Sequence, residues 1–282
     1  MREQYYLHHF AYSQPALNLS NDKVVQAVLK EMAFWLDMGV DGFRLDAVPF
    51  AFTTKDRDFK NNPWLDGEWP EVYEDWKNQY FEYSMCHDET RDLVETIKAF
   101  LDTYGPDKLA LGEAIAGPHG GEKSVPVAAK YVANENYGGD IPGKGLDMCY
   151  TNLMMGIVHY PTPEQIRYIL SQTESHFQNG GNCNSYGNHD MPRSASRMTE
   201  GLAEEDKPAA QRQMFKLALT MPGSLCLYQG EELGLPQAHL FSDIPEDKII
   251  DPVYFSDGPD FCRDGERTPV PWVHDQPNPG FS

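Results

Sequence analysis

The sequence lacks any apolar run of the length needed to span a membrane. It is short of positive charge, with 23 Lys and Arg against 43 Asp and Glu and a net charge of −20 at pH 7. Phosphate polymers and anionic lipid surfaces would be repelled, which excludes nucleic acid and membrane as partners. No glycine-rich phosphate loop follows any of the expected strands, and this weighs against a nucleotide-binding sheet. Paired cysteines are missing as well. Cys86, Cys149, Cys183, Cys226 and Cys262 are odd in number and never form Cys-x-x-Cys, so they make neither a disulfide framework nor a zinc site. No metal and no cofactor are expected. Reduced thiols, and no apolar stretch after the basic residue of "MREQYYLHHF", point to a cytoplasmic protein.

What the sequence does contain is an alternation. Val25, Val28, Met32 and Trp35 recur at helical spacing between Lys23 and Met38, and Gly39 stops that helix. The strand "GVDGFRLDAV" follows. A second helix fits Arg91 to Thr103, with Leu93, Val94, Ile97, Phe100 and Leu101 on one face, and leads to the strand "LALGEA". The run Thr162-Pro163-Glu164-Gln165 has a capping-box pattern and opens a third helix that turns Ile166, Ile169 and Leu170 inward. It leads to "GNCNSYGNHD". A fourth helix, from about Ala209 to Met221, precedes the strand "GSLCLYQG". Helix and strand alternating in this way imply a parallel sheet with helices outside it. Long irregular stretches are expected after the strand ends, at 49–87, 114–144 and 230–282. Such inserts at strand C-termini suit a (β/α)8 barrel, although about five strands are too few to close one.

The polar residues gather where the strands end. In "GVDGFRLDAV", Phe43 and Leu45 alternate with Arg44 and Asp46, so one face is apolar and the other carries two opposite charges. Glu113 ends "LALGE" and Asp190 ends "GNHD". A single carboxylate in such a place is commonly a helix cap or a solvated loop residue. Three of them, on successive strands of one sheet, would converge on one pocket. Carboxylates flanking a bond are what glycoside hydrolysis requires, one ionised as nucleophile and one protonated as general acid.

"GVDGFRLDAV", "LALGEA" and "NSYGNHDMPR" resemble, in order, three signature regions of glycoside hydrolase family 13, the α-amylase family. "QPALN", with Ala16 in place of the usual aspartate, resembles a signature of its oligo-1,6-glucosidase and α-glucosidase branch. "CLYQGEELGLP" and "CRDGERTPVPW" are similar to that branch near the last barrel strand. The resemblance implies an incomplete (β/α)8 barrel, roughly strands 4 to 8 with their helices. Residues 1–18 would be the end of an inserted domain B, and 19–282 the C-terminal part of the catalytic barrel. The family's first signature, an aspartate and a histidine on the third strand, has no counterpart, so a fragment lacking the N-terminal strands and the C-terminal domain is expected, inactive when expressed alone.

By the same resemblance Asp46 is the nucleophile, and Arg44 beside it favours its ionised form. Glu113 is the acid/base. Asp190 binds sugar hydroxyls and stabilises the oxocarbenium-like transition state, with His189 as a hydroxyl donor. Arg263 resembles an arginine that closes the pocket around a single terminal glucose, and Arg267 reads as structural. Ala47, the residue after the nucleophile, corresponds to a position where small side chains go with α-1,4 linkages and valine with α-1,6. The implied activity is a retaining, exo-acting α-glucosidase on short oligosaccharides or disaccharides. A sucrose-active or isomerising family member and a non-catalytic scaffold are the rivals. Trp64, Trp69 and Trp76 are candidates for stacking on sugars.

Overall fold

The computed structural model describes residues 4–51, 83–114, 124–132, 145–151, 153–177, 180–238, 244–273 and 275. The three candidate stacking tryptophans lie outside the described residues. The chain divides into two compact units, Met1–Leu153 with Ser171–Cys183, and Met154–Leu170 with Asn184–Ser282.

The first unit opens with α1, Asp22–Asp37. Asn21 caps it, its Oδ1 accepting from the backbone N–H of Lys23 at 3.0 Å. The helix ends as the sequence indicates. Gly39 takes φ +97°, its N–H donates to Leu36 O at 2.9 Å, and the N–H of Val40 donates to Trp35 O at 3.3 Å. These paired bonds make a Schellman stop, which needs the left-handed residue that glycine supplies. The buried stripe is Leu29, Met32 and Leu36, while Trp35 is 49% exposed. The stripe is therefore rotated by about one position from the Val28 and Trp35 set that periodicity selects.

Strand β1 (Gly42–Leu45) follows, then α2 (Asp88–Asp102), β2 (Leu109–Gly112), α3 (Ser124–Tyr131) and β3 (Met148–Thr151). Helix α3 falls inside a stretch expected to be irregular, and β3 is an additional strand. Eight residues and four residues leave too little periodicity to be recognised in sequence. Strands β1 and β2 run parallel, with Gly42 opposite Leu109 and Leu45 opposite Gly112. Strand β3 is parallel to β2, with Gly112 opposite Cys149. Leu101, Ala110, Leu146 and Cys149 are completely buried and form the centre of this unit's core.

Helix α4 (Pro163–His176) and strand β4 (Asn182–Ser185) run through the division between the units. The capping box at the start of α4 forms in both directions. Thr162 N–H donates to Gln165 Oε1 at 2.8 Å, and Gln165 N–H donates to Thr162 Oγ1 at 3.2 Å. The second unit continues with α5 (Ser194–Arg197), α6 (Lys207–Thr220), β5 (Ser224–Cys226) and α7 (Pro252–Asp257). Asn184 ties β4 to the start of β5 by donating from Nδ2 to Pro222 O at 2.9 Å. Hydrogen-bonded neighbours follow chain order, β1-β2-β3-β4-β5. No helix among the described residues is long and apolar enough to cross a membrane.

Candidate active site

In the first unit the β1–β2 register builds the site. Leu45 lies opposite Gly112, so the next residues, Asp46 and Glu113, leave the sheet side by side. The backbone holds that exit from both sides: Glu113 N–H donates to Leu45 O at 2.9 Å, and Val48 N–H donates to Glu113 O at 3.0 Å. Glycine just before Glu113 leaves room for its neighbours, because a Cβ on Gly112 would lie 2.3 Å from Leu146 Cδ1 and 3.0 Å from Cys149 Sγ. The close packing of β2 on β3 therefore accounts for the Gly-Glu pair.

Arg44 links the two carboxylates. Its Nη1 pairs with Asp46 Oδ1, and its Nη2 lies 2.9 Å from Glu113 Oε1. Its guanidinium also stands over the Tyr150 ring, 6.0 Å from the centroid. Burial opposes the charge on Arg44, but Glu113 and Asp46 outweigh it and hold the guanidinium above the ordinary arginine pKa. The second oxygen of Glu113 accepts from Ala47 N–H at 3.1 Å. Both Glu113 oxygens thus meet donors. Glu113 is buried, whereas the Asp46 side chain is 76% exposed. Ala47 aims its N–H by adopting φ +43°, ψ +45°, left-handed backbone that an alanine seldom takes.

In the second unit His189 and Asp190 follow β4 in a tight turn, with Asp190 N–H donating to Asn188 Oδ1 at 2.9 Å. His189 Nε2 lies 3.2 Å from Asp190 Oδ2. Asp190 Oδ1 accepts from two arginines, Arg263 Nη1 at 2.6 Å and Arg267 Nη2 at 2.8 Å. Arg267, read from sequence as structural, therefore touches Asp190 directly, and its Nε donates to His189 O at 2.8 Å. Behind Arg263 stands Asp251, which the sequence reading did not single out. An Asp before Pro252 signals only a helix start, and Asp251 does cap α7 through Val253 N–H at 3.2 Å. What sequence conceals is its contact with a residue twelve positions further on.

Burial opposes the charge on Asp251, yet the donors of Arg263 hold the carboxyl down at about 2. Asp251 in turn raises the pKa of Arg263 above the usual arginine range, against the effect of burial. The Asp251, Cys262 and Asp264 donor atoms lie within 4.8 Å of one another. Both Asp251 oxygens already accept from Arg263, so that group reads as a clamp for an arginine rather than a cation site.

Buried Arg193 supports the same segment. It donates from Nη1 to Gln229 O at 2.7 Å and from Nη2 to Glu266 O at 2.8 Å, tying the exit of β5 to the stretch that carries Arg263 and Arg267. Arg197 is buried among the carbonyls of Pro192, Met154, Ile157 and Tyr186, and burial lowers its pKa to about 10. The structure thus gathers Arg44, Asp46, Ala47 and Glu113 in one unit, and His189, Asp190 and Arg263 in the other.

The family model described as alpha amylase, catalytic domain, matches the chain over residues 1–282. The chain belongs to the α-amylase family. A probable alpha-glucosidase of Rhizobium meliloti is 33% identical over 100% of this chain and 48% of its own length. Maltase A2 of Drosophila melanogaster is 30% identical over 96% of this chain and 43% of its own. The crystal structure of the alpha-glucosyl transfer enzyme XgtA superposes with TM-score 0.80 at 35% identity, over 99% of this chain and 48% of that one. The chain spans about half the length of the curated relatives it matches. Its parallel strands, hydrogen-bonded in chain order and alternating with helices, form an incomplete (β/α)8 barrel of this family.

Proposed function

We propose that this α-amylase-family chain carries the catalytic carboxylates of a retaining, exo-acting α-glucosidase that releases terminal α-glucose from short oligosaccharides, with α-1,4 linkages preferred. The observation that carries this reading is Arg44, whose single guanidinium contacts Asp46 on one side and Glu113 on the other. A shared cation keeps the two carboxyls close, and a retaining mechanism uses a separation of about 5–5.5 Å. The relatives named alpha-glucosidase and maltase favour the same substrate class.

In this reading the exposed Asp46 carboxylate attacks the anomeric carbon and forms a β-linked glucosyl ester, while Glu113 protonates the departing oxygen. Esterification removes the charge of Asp46. Glu113 then takes a proton from water, which attacks the ester from the face opposite Asp46, and the α-configuration is restored. Asp190 binds sugar hydroxyls, aided by His189, while Arg263 and Arg267 hold its carboxylate. The compact side chain of Ala47 leaves room on the leaving-group side for a 4-linked sugar. Transfer to a sugar hydroxyl instead of water is the rival outcome, favoured by the likeness to a glucosyl transfer enzyme. A non-catalytic scaffold has no use for two carboxylates joined by one arginine.

The test uses protein expressed from the complete reading frame. Asp46→Gly and Glu113→Ala each lose several orders of magnitude in turnover with the fold retained. Azide then yields β-glucosyl azide from α-glucosyl fluoride with the Asp46 variant, and α-glucosyl azide from an activated aryl α-glucoside with the Glu113 variant. Products of the opposite configuration, or near-normal turnover in either variant, overturn the assignment. Product analysis on maltose and sucrose separates hydrolysis from transfer and isomerisation.

A further inference from the structure

One buried carboxylate in the second unit has no part in the chemistry proposed above. The Asp251 side chain is 0% exposed, and four of its contacts come from Arg263. The backbone N–H of Arg263 donates to Oδ2 at 2.7 Å, Nε reaches Oδ1 at 3.2 Å and Oδ2 at 3.1 Å, and Nη2 reaches Oδ1 at 2.6 Å. The guanidinium is planar, so fixing Nε and Nη2 on one carboxylate also fixes the direction of Nη1. That remaining nitrogen donates to Asp190 Oδ1 at 2.6 Å.

We infer that Asp251 is a positioning residue, which clamps Arg263 so that its free nitrogen holds Asp190 in the orientation the transition state needs. The inference rests on the glucosidase reading. A plain capping role accounts for less of the geometry. Capping α7 takes one oxygen and the Val253 N–H, and an asparagine would serve as well. The capping bond explains neither the complete burial of a charged carboxylate nor the contacts to Arg263. A clamp explains both, because an arginine reaching across a loop has many rotamers and only one that meets Asp190.

Asp251→Asn discriminates the two roles, since it keeps the cap and loses the charge and half the acceptors. In protein from the complete reading frame, Asp251→Asn lowers kcat on an aryl α-glucoside on the order of 10²-fold with little change in KM. In an Arg263→Ala background the same substitution adds no further loss of kcat, because the clamp then has nothing to hold. The double variant also melts above Arg263→Ala, in which Asp251 is left buried and unpaired. Arg263→Lys gives a second reading should Asp251→Asn fold poorly. It keeps a cation opposite Asp251 but has no fork to reach both carboxylates, and its kcat falls similarly with normal unfolding. Equal losses from Asp251→Asn in both backgrounds, or unchanged kcat in a folded Asp251→Asn or Arg263→Lys variant, overturn the inference alone. Absence of turnover in the wild type overturns the glucosidase reading and the inference with it.

Discussion

Ala47 combines backbone strain with the role in substrate choice proposed for it, and substitution there separates the two. Its left-handed backbone, φ +43°, costs an L-residue about 1–2 kcal/mol. Glycine removes that strain but gives back about 0.4–1 kcal/mol through a freer unfolded chain. Ala47→Gly is therefore expected to be neutral to slightly stabilising, with the N–H to Glu113 Oε2 intact and kcat little changed. Valine is branched at Cβ and tolerates left-handed backbone poorly, so Ala47→Val adds roughly 1–3 kcal/mol of strain. At about 2–4 °C per kcal/mol for a domain of 150–250 residues, the melting temperature drops by several degrees. If the loop yields instead, residue 47 leaves the left-handed region and its N–H leaves Glu113, which lowers kcat for every substrate. Side-chain bulk acts differently, because it discriminates between linkages by about 1–3 kcal/mol. The ratio of kcat/KM for maltose and isomaltose isolates bulk, and the loss common to both isolates strain. Ala47→Val is expected to show the common loss together with a shift of the ratio toward isomaltose. A valine variant that melts with the wild type and turns over both disaccharides normally would refute the strain argument, and an unchanged ratio would remove Ala47 from linkage selection.

Gly112→Ala drives a methyl to within 2.3 Å of Leu146 Cδ1, an overpacking worth about 1–3 kcal/mol, and combined with Leu146→Ala it costs less than the sum of the two single losses. Thermal unfolding of the two single variants and the double measures it, and additive losses would contradict the packing account. Acid stability reports on Asp251. Its folded pKa of about 2 lies below the unfolded 3.8, a difference worth roughly 2 kcal/mol. That stability is fully present above about pH 4 and is lost as pH falls through 2. Unfolding of wild type and Asp251→Asn between pH 5 and 2 should therefore show the gap between them closing with acid, and a constant gap would refute the assignment.

The sequence by itself determined the alternation of helix and strand and the places where strands end in carboxylates. Those features are local. A capping box at Thr162 and a Schellman stop at Gly39 form between residues three to five apart, so their chemistry is written in neighbouring letters. The strand ends before Asp46 and Glu113 were legible because each carboxylate directly follows a short strand, whereas β4 ends at Ser185 and Asp190 lies in the turn beyond it. Helix α3 and strand β3 were not legible, being too short to show a period. The partners of the charged groups were decided by tertiary structure alone. Arg44 could be paired with Asp46 from spacing, but its contact with Glu113 depends on the β1–β2 register, which sequence does not state. Arg267 looked like a structural arginine and Asp251 stood out for nothing until the loop after β5 carried them to Asp190 and Arg263. The strain at Ala47 likewise exists only in the folded backbone. Local hydrogen bonding can be read along a chain, whereas the neighbours of a buried charge are fixed by packing between segments far apart in sequence.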